Sequence, residues 1–187
     1  RDMSRTALIA VAQGTEEIEA IAPADLLRRA NFNVKIAGEN EIITCSRGVK
    51  IIPDLLIEQL NSDVEFDIII LPGGRTGTLN LLNNDKLEKL LRKHYERGGW
   101  IGAICAAPTI LTQHKILPKG SPVAAHPSVR EMLVEYDYSD AAVVVYERFI
   151  TSRGAGTSID FALKIIELLL SKETADQIKS DIAYDRL

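Results

Sequence analysis

The feature that most restricts the fold of this chain is a series of short, unbroken apolar runs separated by stretches of helical periodicity. TALIAVA (6–12), the IIIL of FDIIILPGG (66–74) and WIGAI (100–104) show no polar–apolar alternation. A strand with one wet face would alternate; a run without alternation is expected where both faces are covered, in a parallel sheet. Between them, EEIEAIAPADLLRRA (16–30) and DKLEKLLRKHYERGG (85–99) read as helices, the second with apolar residues at 87, 90 and 91 among charges and a glycine stop. NVKIAGE (33–39) reads as a second strand, ITCSRGVKIIPD (43–54) as a short pair of strands around Arg47 and Gly48, and PVAAH (122–126) and AVVVYERFITS (142–152) as further strands. A helix is expected from Ala106 towards His114, and one or two helices over 157–179, apolar nearly all round in their early turns. The alternation predicts an α/β sandwich: a mostly parallel sheet covered by helices on both faces.

With 187 residues and no linker, repeat or low-complexity segment, the chain reads as a single domain over 3–187, with Met3 as initiator and Arg1 and Asp2 as foreign residues ahead of it. Its 22 basic and 26 acidic residues give a net charge of −4, and no basic run marks a nucleic-acid partner. No apolar run approaches the roughly 20 residues of a membrane span, and no signal-peptide pattern opens the chain. Two cysteines, Cys45 and Cys105, are too few for a disulfide framework and suit a reducing, cytoplasmic setting. No Cys/His set has metal-ligand spacing, so no metal is expected.

Sheets of this kind bind ligands beyond the carboxyl ends of their strands. That singles out four loops: AQGTEE, PGGRTG, CAAP and SRGAGT. Cys105 stands where WIGAI meets the following helix, among Gly102, Ala103, Ala106 and Ala107, with Pro108 in the helix's first turn. A tight strand-to-helix turn of small residues is what a nucleophile elbow requires, and a helix N-terminus favours a thiolate, with pKa below ~8.5. The competing reading is a small buried hydrophobe. LPGG (71–74) tilts the balance, because two glycines after a central strand can turn backbone amides towards a neighbouring nucleophile, as an oxyanion hole needs. The lysine and Ser/Thr of a P-loop are absent. His126 is placed at the same edge as a candidate acid or base, whereas His94 and His114 are expected to be solvated. Glu16, Glu17 and Glu19 open the first helix, where acids suit the dipole. Glu16 and Glu19 share a face, so one of them could lie buried and protonated beside the thiol.

GTEEIEA, CSRGVKI, LPGG, AICAAPT, HPS and TSRGAGTSIDFALKI, in that order along essentially the whole chain, resemble the DJ-1/PfpI superfamily, and within it the DJ-1/YajL-like branch. The resemblance implies a flavodoxin-like fold and a homodimer with the reactive site near its interface. It makes Cys105 the reactive nucleophile, Glu19 the carboxyl hydrogen-bonded to its sulfur, and His126 the nearby histidine. Gly74 and Ala106 match the backbone-amide positions beside the cysteine. It further implies cofactor-free conversion of methylglyoxal to lactate, a protein or nucleotide deglycase activity, and protection from carbonyl and oxidative stress. The alternative it carries is a redox-sensing or chaperone-like protein in which oxidation of Cys105 to sulfinate is the signal. Three positions depart from the family pattern. Ala106 stands where the protease-like branch has histidine, Ala155 replaces a proline in SRGAGT, and Ile52 occupies the place of a second reactive cysteine. Apolar positions 18, 21, 22, 26 and 27, with Ala20, Pro23 and Ala24, exceed what one covered helix face needs, and a dimer would bury the surplus.

Overall fold

The expected runs become strands and helices close to their expected bounds: β1 (Thr6–Val11), α1 (Glu17–Arg29), β2 (Asn33–Gly38), the short β3 (Ile43–Thr44), β4 (Lys50–Ile51) and β5 (Leu55–Leu56), then β6 (Ile68–Leu71). These are followed by α2 (Arg75–Leu82), α3 (Asp85–Glu96), β7 (Trp100–Ile104), α4 (Pro108–Gln113), β8 (Pro122–Ala124), β9 (Asp137–Ser139), β10 (Val143–Tyr146), β11 (Phe149–Ser152), α5 (Ser158–Leu169) and α6 (Lys172–Asp181). The computed structural model describes residues 4–184, so the readings of Arg1, Asp2 and Met3 lie outside the described residues.

Seven strands form one sheet in the order β10-β11-β7-β6-β1-β2-β5, parallel except for the β10–β11 pair. Its central strands are buried on both faces, which is why they show no alternation. In β1, Ala7, Ile9 and Val11 pack with α1 and α5, while Leu8 and Ala10 pack on the side of α3 and α4. The fold is a flavodoxin-like α/β sandwich, as the alternation and the resemblance both predict.

Four local expectations change. The stretch 142–152 is not one strand but an antiparallel hairpin, β10–β11, turning at Glu147, whose φ is +50°. PVAAH does not enter the main sheet; β8 pairs with β9 in a separate ribbon, and His126 lies beyond it at the start of a 3₁₀ turn, Pro127–Leu133. PGGRTG is not all loop, because Gly74 caps the helix α2. His94 and His114 are not solvated. His94 is 1% exposed beneath Gly99, bonded through Nε2 to the Trp100 carbonyl at 2.6 Å, and burial lowers its pKa. His114 Nδ1 lies 3.2 Å from Glu88 Oε1. Charged neighbours in the sequence of α3 concealed that His94 continues the apolar stripe of Leu87, Leu90 and Leu91.

Candidate active site

Cys105 is the first residue after β7, and its φ of +67° is a left-handed conformation that a non-glycine residue adopts only at a cost of order 1 kcal/mol or more. Its peptide is held from two sides. The Cys105 N–H donates to the Ser152 carbonyl at 3.0 Å, and the Cys105 carbonyl accepts from the His126 N–H at 2.8 Å. The small neighbours have distinct reasons. A Cβ on Gly102 would meet Phe161 of α5 at 2.8 Å, so that glycine serves core packing rather than the turn. Pro108 occupies the first turn of α4, as expected.

Glu19, in the first turn of α1, is fully buried. Its Oε1 accepts from the Gly73 N–H at 2.9 Å, and its Oε2 is buried without a partner of ordinary hydrogen-bond geometry. The Cys105 thiol stands against the same carboxyl. The approach depends on Gly73, where a Cβ would meet Glu19 Oε1 at 2.7 Å and Cys105 Cβ at 2.8 Å. Burial, reinforced by the charge of Glu16, pushes the Glu19 carboxyl up to about 7. Burial, then the negative charge of an ionised Glu19 and the hydrogen bond to it, pushes the Cys105 thiol up to about 12, against the pull of the Ala106 and Gly74 N–H groups on the sulfur. The expectation of a thiol made acidic by a helix N-terminus is therefore corrected. α4 begins three positions past Cys105, and the N–H groups that reach the sulfur, of Ala106 and Gly74, are outweighed by burial and by Glu19. Two negative charges in this space are strongly disfavoured, and the pair keeps one proton across the neutral range.

A sequence model of the DJ-1/PfpI family matches residues 5–168. The chain belongs to that family. Protein dj-1beta of Drosophila melanogaster is 44% identical over 189 residues, covering 98% of this chain and 100% of that protein. Glutathione-independent glyoxalase DJR-1.2 of Caenorhabditis elegans is 39% identical over 169 residues, covering 89% of each. The crystal structure of Drosophila melanogaster DJ-1beta superposes with a TM-score of 0.93 at 41% identity, covering 98% of this chain and 100% of that one.

In this DJ-1/PfpI chain, Cys105 opens onto a cleft of about 1120 Å³ lined also by Glu16, Glu19, Gly74, Ala106 and His126. All five singled-out positions, Cys105, Glu19, His126, Gly74 and Ala106, thus meet in one place. His126 is exposed, and its Nδ1 accepts from the Ser128 N–H at 3.1 Å and lies 2.8 Å from Ser128 Oγ. A backbone N–H can only donate, so the neutral ring carries its proton on Nε2. Cys45 is buried just past β3, and burial with the charges of Glu17 and Glu16 pushes its thiol up to about 11. Sequence reasoning missed Glu17. It accepts from Ser46 Oγ at 2.9 Å and from the N–H groups of Arg47 and Val49, fastening the β3–β4 hairpin to α1. Its position in the first helical turn has a sufficient dipole explanation, and nothing in the sequence points to the hairpin. Among the described residues no helix is long and apolar enough to cross a membrane, and no group of three or more His, Cys, Asp and Glu residues could hold a metal ion.

Proposed function

We propose that the protein is a cofactor-independent glyoxalase that converts methylglyoxal to lactate through Cys105. The observation that carries the reading is the buried Glu19 carboxyl, pushed up to about 7, against a thiol that also receives the Gly74 and Ala106 N–H groups. In the reactive form the proton sits on Glu19. A protonated Oε2 then donates to the sulfur and gains the partner that it otherwise lacks. The thiolate adds to the aldehyde carbon, Glu19 gives its proton to the new oxyanion, and the two backbone amides stabilise the charge in transit. The Glu19 carboxylate next takes the proton from that carbon and returns it to the adjacent one, while the hydroxyl proton passes to the former ketone oxygen, leaving a lactoyl thioester. Water hydrolyses the thioester, releasing lactate and restoring the proton to Glu19. A carboxyl titrating near neutrality suits both halves of this transfer. His126, with Nδ1 already accepting from Ser128, is assigned as a donor to the substrate rather than the base. Purified protein should form lactate from methylglyoxal without glutathione, and a coupled lactate assay checks this; absence of lactate sinks the reading.

The site also supports a sensor of oxidants, because Cys105 is the more accessible of the two cysteines. Under graded peroxide, mass spectrometry should find Cys105 oxidised well before Cys45. Equal rates would exclude this role.

The protein is further proposed to act as a homodimer in the cytoplasm. Ile18 and Ile21 on α1 are 53% and 42% exposed and line an apolar groove with Ala22, Ile159 and Ile182. A second copy would cover it. Sedimentation at micromolar concentration should give a dimer, and Ile18→Asp with Ile21→Asp should give a monomer. A wild-type monomer contradicts the proposal.

A further inference from the structure

The cleft is much longer than methylglyoxal requires, and beyond the sulfur four apolar side chains, Leu79, Leu82, Val129 and Met132, line it among polar ones. Gly74, whose N–H touches the sulfur, caps α2, and Leu79 and Leu82 lie one turn apart on the cleft side of that helix. At 1.5 Å per residue they stand about 7.5 and 12 Å along the axis from Gly74. A three-carbon dicarbonyl bonded to the sulfur reaches only about 4 Å. Thr109 and Gln113, four residues apart on α4, line the same cleft, so it runs away from Cys105 between α2 and α4. Val129 and Met132 of the 3₁₀ turn line it as well. Leu79 and Met132 are 52% and 53% exposed, far more than their neighbours Leu81 and Leu133, which are buried in the core.

We propose that Leu79, Leu82, Val129 and Met132 form a subsite for the apolar tail of the substrate, so that the site is built for 2-oxoaldehydes longer than methylglyoxal. The proposal rests on the glyoxalase reading above and names the substrate class of the same site. The reaction is unchanged for any tail R. R–CO–CHO and water become R–CHOH–COOH, the aldehyde carbon being oxidised and the ketone carbon reduced, with no external electron carrier. The reacting carbons stay at Cys105 while R extends along α2. Each methylene seated on the wall should raise kcat/KM about twofold to fourfold, the upper figure holding for complete burial.

The test uses the full chain and a series from methylglyoxal to 2-oxoheptanal, read as formation of the 2-hydroxy acid. kcat/KM should rise along the series in the wild type. Leu79→Gln with Met132→Gln should flatten the rise by tenfold or more at 2-oxoheptanal and leave methylglyoxal turnover unchanged. Both side chains are half exposed, so folding is little affected. A parallel series of N-alkylmaleimides, which add to the Cys105 sulfur with no leaving group, reads the wall without any turnover. Modification should quicken with chain length in the wild type and not in the double variant. If no hydroxy acid forms from any aldehyde yet the maleimide dependence holds, the glyoxalase reading fails and the apolar subsite stands. If neither series depends on chain length, or the double variant retains the dependence, the subsite proposal is overturned. That outcome includes a wall covered by a second copy of the chain.

Discussion

Glu19→Gln is expected to lower lactate formation by roughly 10²- to 10⁴-fold while leaving Cys105 open to alkylation. Glutamine fills the same space, keeps an acceptor for the Gly73 N–H and offers an N–H to the sulfur, but it carries no proton to exchange with carbon. The variant also separates the two ionisations. In the wild type, alkylation should rise as the pair loses its first proton near 7, with the second held to about 12. In Glu19→Gln a single ionisation remains. It belongs to the thiol, and it lies below the wild type's upper step because the repelling carboxylate is gone. Alkylation rate against pH distinguishes the two profiles, and retained turnover with a one-step profile would remove Glu19 from the proton transfer. Stability provides a third reading. A carboxyl whose pKa is raised by folding contributes stability at low pH, and that contribution is lost as pH rises from about 4.5 through about 7. Above pH 7 the variant should therefore be more stable than the wild type, by on the order of 3 kcal/mol. Cys105→Ser should form no lactate at any pH.

Gly74→Ala is expected to be destabilising by ~4 kcal/mol or more, and inactive in whatever fraction folds. Gly74 has a φ of +88°, and a Cβ there would stand 2.3 Å from the Gly14 carbonyl oxygen and 2.7 Å from the Glu16 nitrogen. Both are backbone atoms of the turn that presents Glu19, and backbone cannot swing aside as a flexible side chain can. Relief would move α2 away from α1 and withdraw the Gly74 N–H from the sulfur. Gly48→Ala is the control. Its φ is +89°, but nothing lies within 4 Å of the added carbon, so only the conformational cost of about 1 kcal/mol is expected. Denaturant midpoints of the two variants make the comparison, and equal losses would show that the contact with Gly14 does not matter.

The central strands were legible in the sequence because burial on both faces leaves a continuous apolar run. TALIAVA and WIGAI therefore gave their bounds almost to the residue. α2 was not legible. RTGTLNLL has only a weak apolar stripe, with one strong non-former, Gly77, and three weak formers, Thr76, Thr78 and Asn80, and its start is set by the Gly74 cap. The meeting of Cys105, Glu19, His126, Gly74 and Ala106 followed from the strand-end rule together with the family pattern. The acidity of the thiol did not, because it is governed by how deeply the sulfur is buried and by the carboxyl of Glu19 beside it. Both are tertiary facts. His94 shows the same limit: its neighbours in sequence are charged, while its neighbours in space are Gly99 and the Trp100 carbonyl.

The two-sided grip on the Cys105 peptide has a consequence for how the protein comes into being. One partner, Ser152, lies 47 positions downstream and the other, His126, 21 positions downstream, while Glu19 precedes the cysteine by 86. β7 itself must lie between β6 and β11, each brought alongside by a long crossover. Closing such loops costs chain entropy before any contact repays it, and folds of this connectivity form slowly. The left-handed turn at Cys105 cannot persist without those partners, so a nascent or misassembled chain has an ordinary cysteine there. Proton exchange between this thiol and Glu19 is thus a property of the finished protein alone, and during refolding the ionisation near 7 that the pair shares should return with the slowest phase rather than with the first secondary structure.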